Sequence, residues 1–162
     1  MSHLEEMIYF GRGQANQDTL AQMANGLGLT SRAVGSGQEV LAQADLIVTT
    51  VTHTGGAAPD LDASGMKPGS FAAIVDLGAP WHRDSFGALD VLTIDDLEQE
   101  ASLPNKLCAP ELVTGDLSGL VRGDFEGRTS PEDRTAFLFR GHALGELAVS
   151  ALALERHNAR AG

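Results

Sequence analysis

A chain of 162 residues is long enough to bury a sizeable core and short enough to be one domain. Hydrophobic residues make up 43% of it and aromatic residues only 5%, which describes a globular chain with an aliphatic, alanine-rich core. With 11 Lys+Arg against 22 Asp+Glu the formal net charge is -11, which excludes a broad nucleic-acid surface and docking on an anionic membrane, and reads as an acidic, solubilising exterior.

The first residues, Met1-Ser-His-Leu-Glu-Glu6, carry acids where a secretory signal needs bases. No run approaches the roughly 18 apolar residues of a membrane span. Both readings place the chain in the cytoplasm. Met7-Ile-Tyr-Phe10 is apolar and β-prone and predicts a strand. Gly11-Arg12-Gly13 then predicts a sharp turn, with Asn16 or Asp18 capping a helix from Thr19 to Asn25. Leu20, Met23 and Ala24 share one face of that helix, Gly26 and Gly28 end it, and Ser31–Val34 predicts a short strand.

The glycine turn has three readings. It is a phosphate-binding turn, although the dinucleotide fingerprint needs a third glycine where Asn16 stands. Or it follows the second strand of a nucleotide-binding fold, where an Arg accommodates the 2′-phosphate of NADP and an acid would favour NAD; Arg12 is then the adenosine-side reader. Or it is a plain turn with an exposed Arg12.

Gly37–Ala44 predicts a short helix, and Leu46-Ile-Val-Thr-Thr-Val51 a strand of the kind buried on both faces of a parallel sheet. Open α/β sheets bind ligands outside the carboxyl ends of their strands. Thr49, Thr50 and Thr52 are therefore candidate cofactor contacts, with β-propensity as the competing explanation. His53 has no Cys, His or acid at metal spacing, so it is not read as a ligand. Met66-Lys-Pro-Gly69 turns the chain into a second buried strand, Ser70–Leu77.

Directly after that strand lie Asp76, Gly78, His82, Arg83, Asp84 and the single Trp81. A carboxylate at a strand terminus can handle protons beside a bound nicotinamide, so Asp76 is the candidate acid/base. The competing reading is a loop in which Asp84 caps a helix and His82 and Arg83 are solvated. Further on, Phe86–Asp90 predicts a short helix, Val91–Ile94 a strand, and Asp95-Asp96 the cap of a helix Leu97–Ala101. Residues 102–112 are irregular. Cys108, the single cysteine, rules out an internal disulfide, fits a reducing compartment and reads as a small buried residue. Leu117–Val121 is a short helix or turn.

The segment Glu126–Gly141 opens with a turn, passes through a β-prone run at Thr135–Phe139 and breaks at Gly141. A long segment, Ala143–Asn158, follows with Leu144, Leu147, Ala148, Ala151 and Leu152 at helical spacing, which predicts one buried face. Alternating strands and helices with buried-type strands predict an α/β fold with a mainly parallel sheet.

These landmarks, in this order, resemble the ornithine cyclodeaminase/mu-crystallin family: Ala44–Thr50, Lys67-Pro-Gly69, Asp76–Asp84, Asp95-Asp96 with Glu98-Gln99, and Gly127-Arg128 through Thr135 and Phe137 to Gly141. The resemblance covers the chain but only the cofactor half of the family's longer polypeptide. It implies a Rossmann-like NAD(P) domain, truncated at the N-terminus, with the substrate and dimerisation domain lacking. It implies oxidoreductase or ammonia-lyase chemistry on a small amino or imino acid, of the L-ornithine to L-proline type, or a ketimine, pyrroline-2-carboxylate or alanine dehydrogenase variant of it. The cofactor would be NAD or NADP, held by Arg12, Thr49, Thr50, Asp76, Leu77, Gly78 and His82.

The departures are specific. The family's catalytic Asp position is Gly78, with an acid at Asp76 instead; a Lys position is His82; a Ser position is Phe139; a helix Asp is Glu146. The family's first strand and its pyrophosphate loop would precede Met7. That strand is central in the order 3-2-1-4-5-6, and its loss strands backbone groups at about 1–3 kcal/mol each if they stay unsatisfied. Either its neighbours close the gap or a partner supplies a strand, so a homo-oligomer or a partner chain is expected. The second functional reading is a non-catalytic homologue that acts as a nucleotide-binding or protein-interaction module.

Overall fold

The computed structural model describes residues 4–11, 13–52, 58–141 and 143–161; Arg12 and His53 lie outside the described residues. Every strand pairing among them is parallel. β1 (Glu6–Tyr9) and β2 (Thr30–Ala33) form a two-stranded sheet. β3 (Leu46–Thr49), β4 (Phe71–Ile74), β5 (Val91–Ile94), β6 (Gly115–Asp116) and β7 (Thr135–Leu138) form a second sheet in the order β3-β4-β7-β5-β6. The expected Rossmann-like α/β architecture is present, and the order places strands of distant sequence side by side through crossovers.

The helices form where the sequence supplies caps. The Ser36 hydroxyl accepts from Glu39 N–H at 3.1 Å to start α2 (Gly37–Gln43), and the Glu39 carboxylate reaches back to Gly35 N–H at 3.0 Å. Asp96 caps α3 (Leu97–Ser102) through Gln99 N–H at 2.6 Å, and Asp116 caps α4 (Leu117–Arg122) through Gly119 N–H at 2.7 Å. Gly123, at φ 77, ends α4 in the left-handed conformation.

The core lies on one face of the larger sheet. Register aligns Ile47, Ala72, Ala136 and Leu92, then Ile74, Leu138 and Ile94. Leu41 of α2 and the turn residues Leu61, Met66, Trp81 and Phe86 cover them, all buried. Burying each large apolar side chain contributes about 1.5–3 kcal/mol, so this layer carries most of the fold's stability. Arg128 staples the layer's margin: its guanidinium donates to the carbonyls of Gly69 and Ser70 ahead of β4 and to the Thr135 hydroxyl in β7.

Several expectations are corrected. β3 is not buried on both faces: Ile47 and Thr49 are buried, but Leu46 and Val48 are 62% and 68% exposed, because no described element covers that side. α1 (Gln14–Gly26) starts five residues before Thr19, with Gly13 rather than Asn16 or Asp18 at its cap, and buries only Ala24; Leu20 and Met23 face solvent. α5 (Ala143–Ala161) forms as a helix, but its apolar face is exposed, with Leu144, Leu147, Val149 and Leu154 each above 60%. The expected helix at Phe86–Asp90 is a tight 3-10 turn at Arg83–Ala88, and Asp84 does not cap it. No side chain caps it; the Ser85 hydroxyl, inside the turn, donates to the His82 carbonyl at 2.6 Å and accepts Ala63 N–H at 2.9 Å.

Candidate functional site

All strands of the larger sheet point their carboxyl ends to one edge, and three aspartates stand there: Asp76 after β4, Asp95 after β5 and Asp116 at the end of β6. Each spans from its own strand to a neighbouring segment. Asp76 is 8% exposed; one carboxylate oxygen accepts the Thr49 hydroxyl at 3.1 Å and the other accepts Val51 N–H at 3.0 Å. The Thr49 hydroxyl in turn accepts Trp81 Nε1–H at 3.2 Å. A buried indole, hydroxyl and carboxylate are thus chained across the carboxyl ends of β3 and β4. A carboxylate offers about four acceptor positions, so Asp76 keeps two for another group.

The backbone beyond Asp76 is forced into an unusual turn. Leu77 sits at φ 60 and Gly78 at φ 68, while Ala79 N–H donates to the Asp76 carbonyl and Trp81 N–H to the Gly78 carbonyl, each at 3.1 Å. Two successive left-handed residues cup the chain tightly. A Cβ on Gly78 would sit 3.4 Å from Leu138, so glycine lets this turn lie against the end of β7. Leu77 projects outward at 41% exposure.

Of the residues expected in the site, Thr49, Asp76 and the Leu77–Gly78 turn come together. Thr50 and Thr52 are exposed just past β3. His82 does not join them. Its ring is solvent-exposed and its charge acts on Asp62, whose carboxyl is held below the usual range chiefly by the Ser64 hydroxyl and N–H, with His82 adding a smaller pull. Cys108 is buried; burial, with the nearby Glu100 charge, pushes its thiol up to about 11 against the opposing pull of Arg83, so it is an inert thiol.

Arg12 lies outside the described residues, but its flanks are placed. The turn is tied by Gln17, whose amide donates to the Gly11 carbonyl at 2.8 Å. The N-terminus of α1 has no side-chain cap and no acid in its first turn, and space around Gly11 and Gly13 is open. Open helix-start amides favour an anion such as a phosphate. The residues that could hold a dinucleotide are the open start of α1 and the Thr49, Asp76 and Gly78 cluster at the sheet's carboxyl edge. The described residues include Gly11 and Gly13 directly after β1, with Asn16 where the dinucleotide fingerprint needs a third glycine. They contain no grouping of His, Cys, Asp and Glu able to hold a metal ion, and no helix long and apolar enough to cross a membrane.

Two features escaped the sequence reading. Asp95, 8% exposed, accepts the N–H groups of Arg140 and Gly141 and so fixes the exit of β7. An open cleft of about 710 Å³ runs beside it, walled by Asp96, Ser118, Phe139, Glu146 and Val149. The Asp95-Asp96 doublet directly after a strand was the available signal; it read as a helix cap, which Asp96 is.

Comparison with solved structures finds the same fold. The iminosuccinate reductase of Paracoccus denitrificans in complex with NAD+ is 26% identical, with a TM-score of 0.74 over 97% of this chain and 51% of that one. Thermococcus litoralis Δ1-pyrroline-2-carboxylate reductase, solved with NADH and L-proline, is 19% identical with a TM-score of 0.78 over 97% and 51%. A probable ornithine cyclodeaminase from Bordetella pertussis Tohama I is 19% identical with a TM-score of 0.78 over 97% and 52%. The chain thus spans about half the length of the solved structures it matches. No curated protein sequence matches it. The family model for the ornithine cyclodeaminase/mu-crystallin family matches residues 1–161, and the chain belongs to that family.

Proposed function

We propose that this chain is the nicotinamide-dinucleotide half of an oxidoreductase or cyclodeaminase acting on a small amino or imino acid. The observation that carries the reading is the Trp81–Thr49–Asp76 chain at the carboxyl edge of a parallel sheet, where such sheets take their ligands. The bound dinucleotide would supply hydride transfer. The chain's own groups would bind and orient it: Arg12 and the start of α1 at the adenosine phosphate, and Thr49, Thr50, Leu77 and Gly78 at the nicotinamide side. Asp76 would hold or release a proton on the substrate, with Thr49 and Val51 fixing its two oxygens. His82 would stand at the rim of the turn. The basic residues that would hold a substrate carboxylate would come from a second domain. Relatives that reduce pyrroline-2-carboxylate, reduce iminosuccinate or dehydrogenate alanine support the substrate class and leave its member open.

Calorimetric titration with NADPH and NADH tests this reading. The expected result is micromolar binding of NADPH that weakens at least tenfold in Arg12→Ala, while Asp76→Asn, which keeps its shape, leaves the affinity within about threefold. Absence of binding by either nucleotide would overturn it. That outcome would favour the second reading, a non-catalytic interaction module, for which the specific observation is the division of the strands into two sheets.

A further inference from the structure

Asp76 and the turn after it present hydrogen-bond donors and acceptors within three consecutive residues. Ala79 N–H closes the turn on the Asp76 carbonyl at 3.1 Å, with Leu77 at φ 60 and Gly78 at φ 68 as its two central residues. Such a turn is closed by the N–H of its fourth residue and makes no use of those of its second and third. Among the described residues neither the Leu77 nor the Gly78 N–H is bonded to an acceptor. The acceptor half is the Asp76 carboxylate. One of its oxygens takes the Thr49 hydroxyl and the other takes Val51 N–H. Trp81 Nε1–H fills an acceptor position on the Thr49 oxygen, so the single hydroxyl proton is directed at Asp76. Trp81 and Thr49 are both buried, at 1% and 9% exposure, which holds this order in place. Among the described residues only donors reach the Asp76 carboxylate, and its free acceptor positions take further donors only.

We propose that Asp76 and the Leu77–Gly78 turn read the carboxamide of the nicotinamide ring: the turn's N–H groups donate to the carboxamide oxygen, and Asp76 accepts from its NH2 group. The assignment rests on the dinucleotide reading proposed above and adds what selects the substituent on the ring. A primary carboxamide carries one acceptor and one donor group side by side, and this segment offers the matching donor and acceptor. A carboxylate in the same place would satisfy the turn's N–H groups but set a second negative charge against Asp76. The Asp76 oxygens are each held by a donor, so the side chain cannot turn away. A methyl ketone would keep the oxygen and leave Asp76 facing a group that donates nothing. Sites built to hydrogen-bond a substrate N–H reject the analogue that lacks it. One free acceptor position on Asp76 serves the carboxamide, and the other stays available for a substrate proton.

The test is calorimetric titration of the full chain with four ligands: NADP+, its 3-acetylpyridine analogue, nicotinic acid adenine dinucleotide phosphate, and 2′-phospho-ADP-ribose, which has no ring. Relative to NADP+, the acetylpyridine analogue is expected to bind at least threefold more weakly and the nicotinic acid dinucleotide at least tenfold more weakly. Asp76→Asn keeps the shape and removes the charge. It is expected to bring NADP+ and the nicotinic acid dinucleotide within about threefold of each other, chiefly by tightening the latter. The ligand series on the unaltered chain decides the matter even if the Asp76→Asn chain does not fold. NADP+ and the nicotinic acid dinucleotide binding less than tenfold apart would overturn the assignment, as would a gap that survives in a folded Asp76→Asn chain. In either case, binding of 2′-phospho-ADP-ribose would leave the dinucleotide reading standing. Binding of none of the four would overturn both.

Discussion

Leu77 is a leucine held at φ 60, where an L side chain costs about 1–2 kcal/mol, and its side chain recovers little by burial at 41% exposure. The turn persists because both flanks are pinned: Asp76 is tied to Thr49 and Val51, and Trp81 is buried with its N–H on the Gly78 carbonyl. Such strain belongs to positions that the surroundings over-determine. Leu77→Gly removes the strain, but it frees the unfolded chain by about 0.5–1 kcal/mol, so stability is expected to rise by up to about 1 kcal/mol or stay level. Gly78→Ala adds a Cβ at φ 68 and 3.4 Å from Leu138, so it is expected to lose about 1–2 kcal/mol. Urea unfolding of both variants compares the signs; equal losses would mean that the turn is not held left-handed in solution. None of this was legible in the sequence beyond the Gly78 turn itself. Asp76 and Thr49 are 27 positions apart, and a hydrogen bond between them exists only once β3 and β4 are neighbours.

At the scale of elements, Arg140 locks α3 to the end of β7. Its Nε donates to Glu100 at 2.6 Å and its guanidinium also donates to the Asn105 carbonyl at 2.6 Å, with both charged side chains largely buried, at 18% and 12% exposure. Burial by itself would raise the Glu100 pKa. The Arg140 hydrogen bond, the Leu107 N–H and the charges of Arg140 and Lys106 outweigh it and hold the carboxyl below its usual range. A folded pKa below the unfolded one stabilises at pH above the unfolded value of about 4.3, and that stability is lost as pH falls through the folded value. Glu100→Gln is therefore expected to cost about 1–3 kcal/mol at neutral pH, with the gap from the parent chain narrowing below about pH 4. Unfolding curves at pH 7, 5 and 3 measure this, and a gap independent of pH would contradict it. The elements themselves were largely readable: β4, β5 and β7 follow their apolar runs, and α2 and α3 follow their caps. What periodicity could not tell is what covers a face. The stripes of α5 and β3 were correctly apolar, yet burial is a property of the neighbour, and no described neighbour lies over them. β6, with two residues, is too short to leave a pattern.

On the scale of the molecule, stability is unevenly distributed. The buried hydrophobic cluster belongs to the five-stranded sheet and its covering turns, whereas among the described residues of 4–34 only Ala24 is buried. The N-terminal β1–α1–β2 unit touches the rest through few groups. Arg32 donates to the Gln43 side chain at 2.9 Å, and Phe10 lies near Gly37 at the start of α2. No strand pairing crosses from one sheet to the other among the described residues. Exposed polar links of this kind contribute about 0–1 kcal/mol each, and a segment with so little buried apolar area opens locally at a small fraction of the global free energy. In the isolated chain, amides of α1, β1 and β2 are therefore expected to exchange at least a hundredfold faster than those of β4, β5 and β7. A denaturant titration followed at these amides should show the N-terminal unit opening first, with a shallow dependence because it exposes little surface. Uniform protection across both sheets would mean that they are joined in solution by contacts other than those seen here.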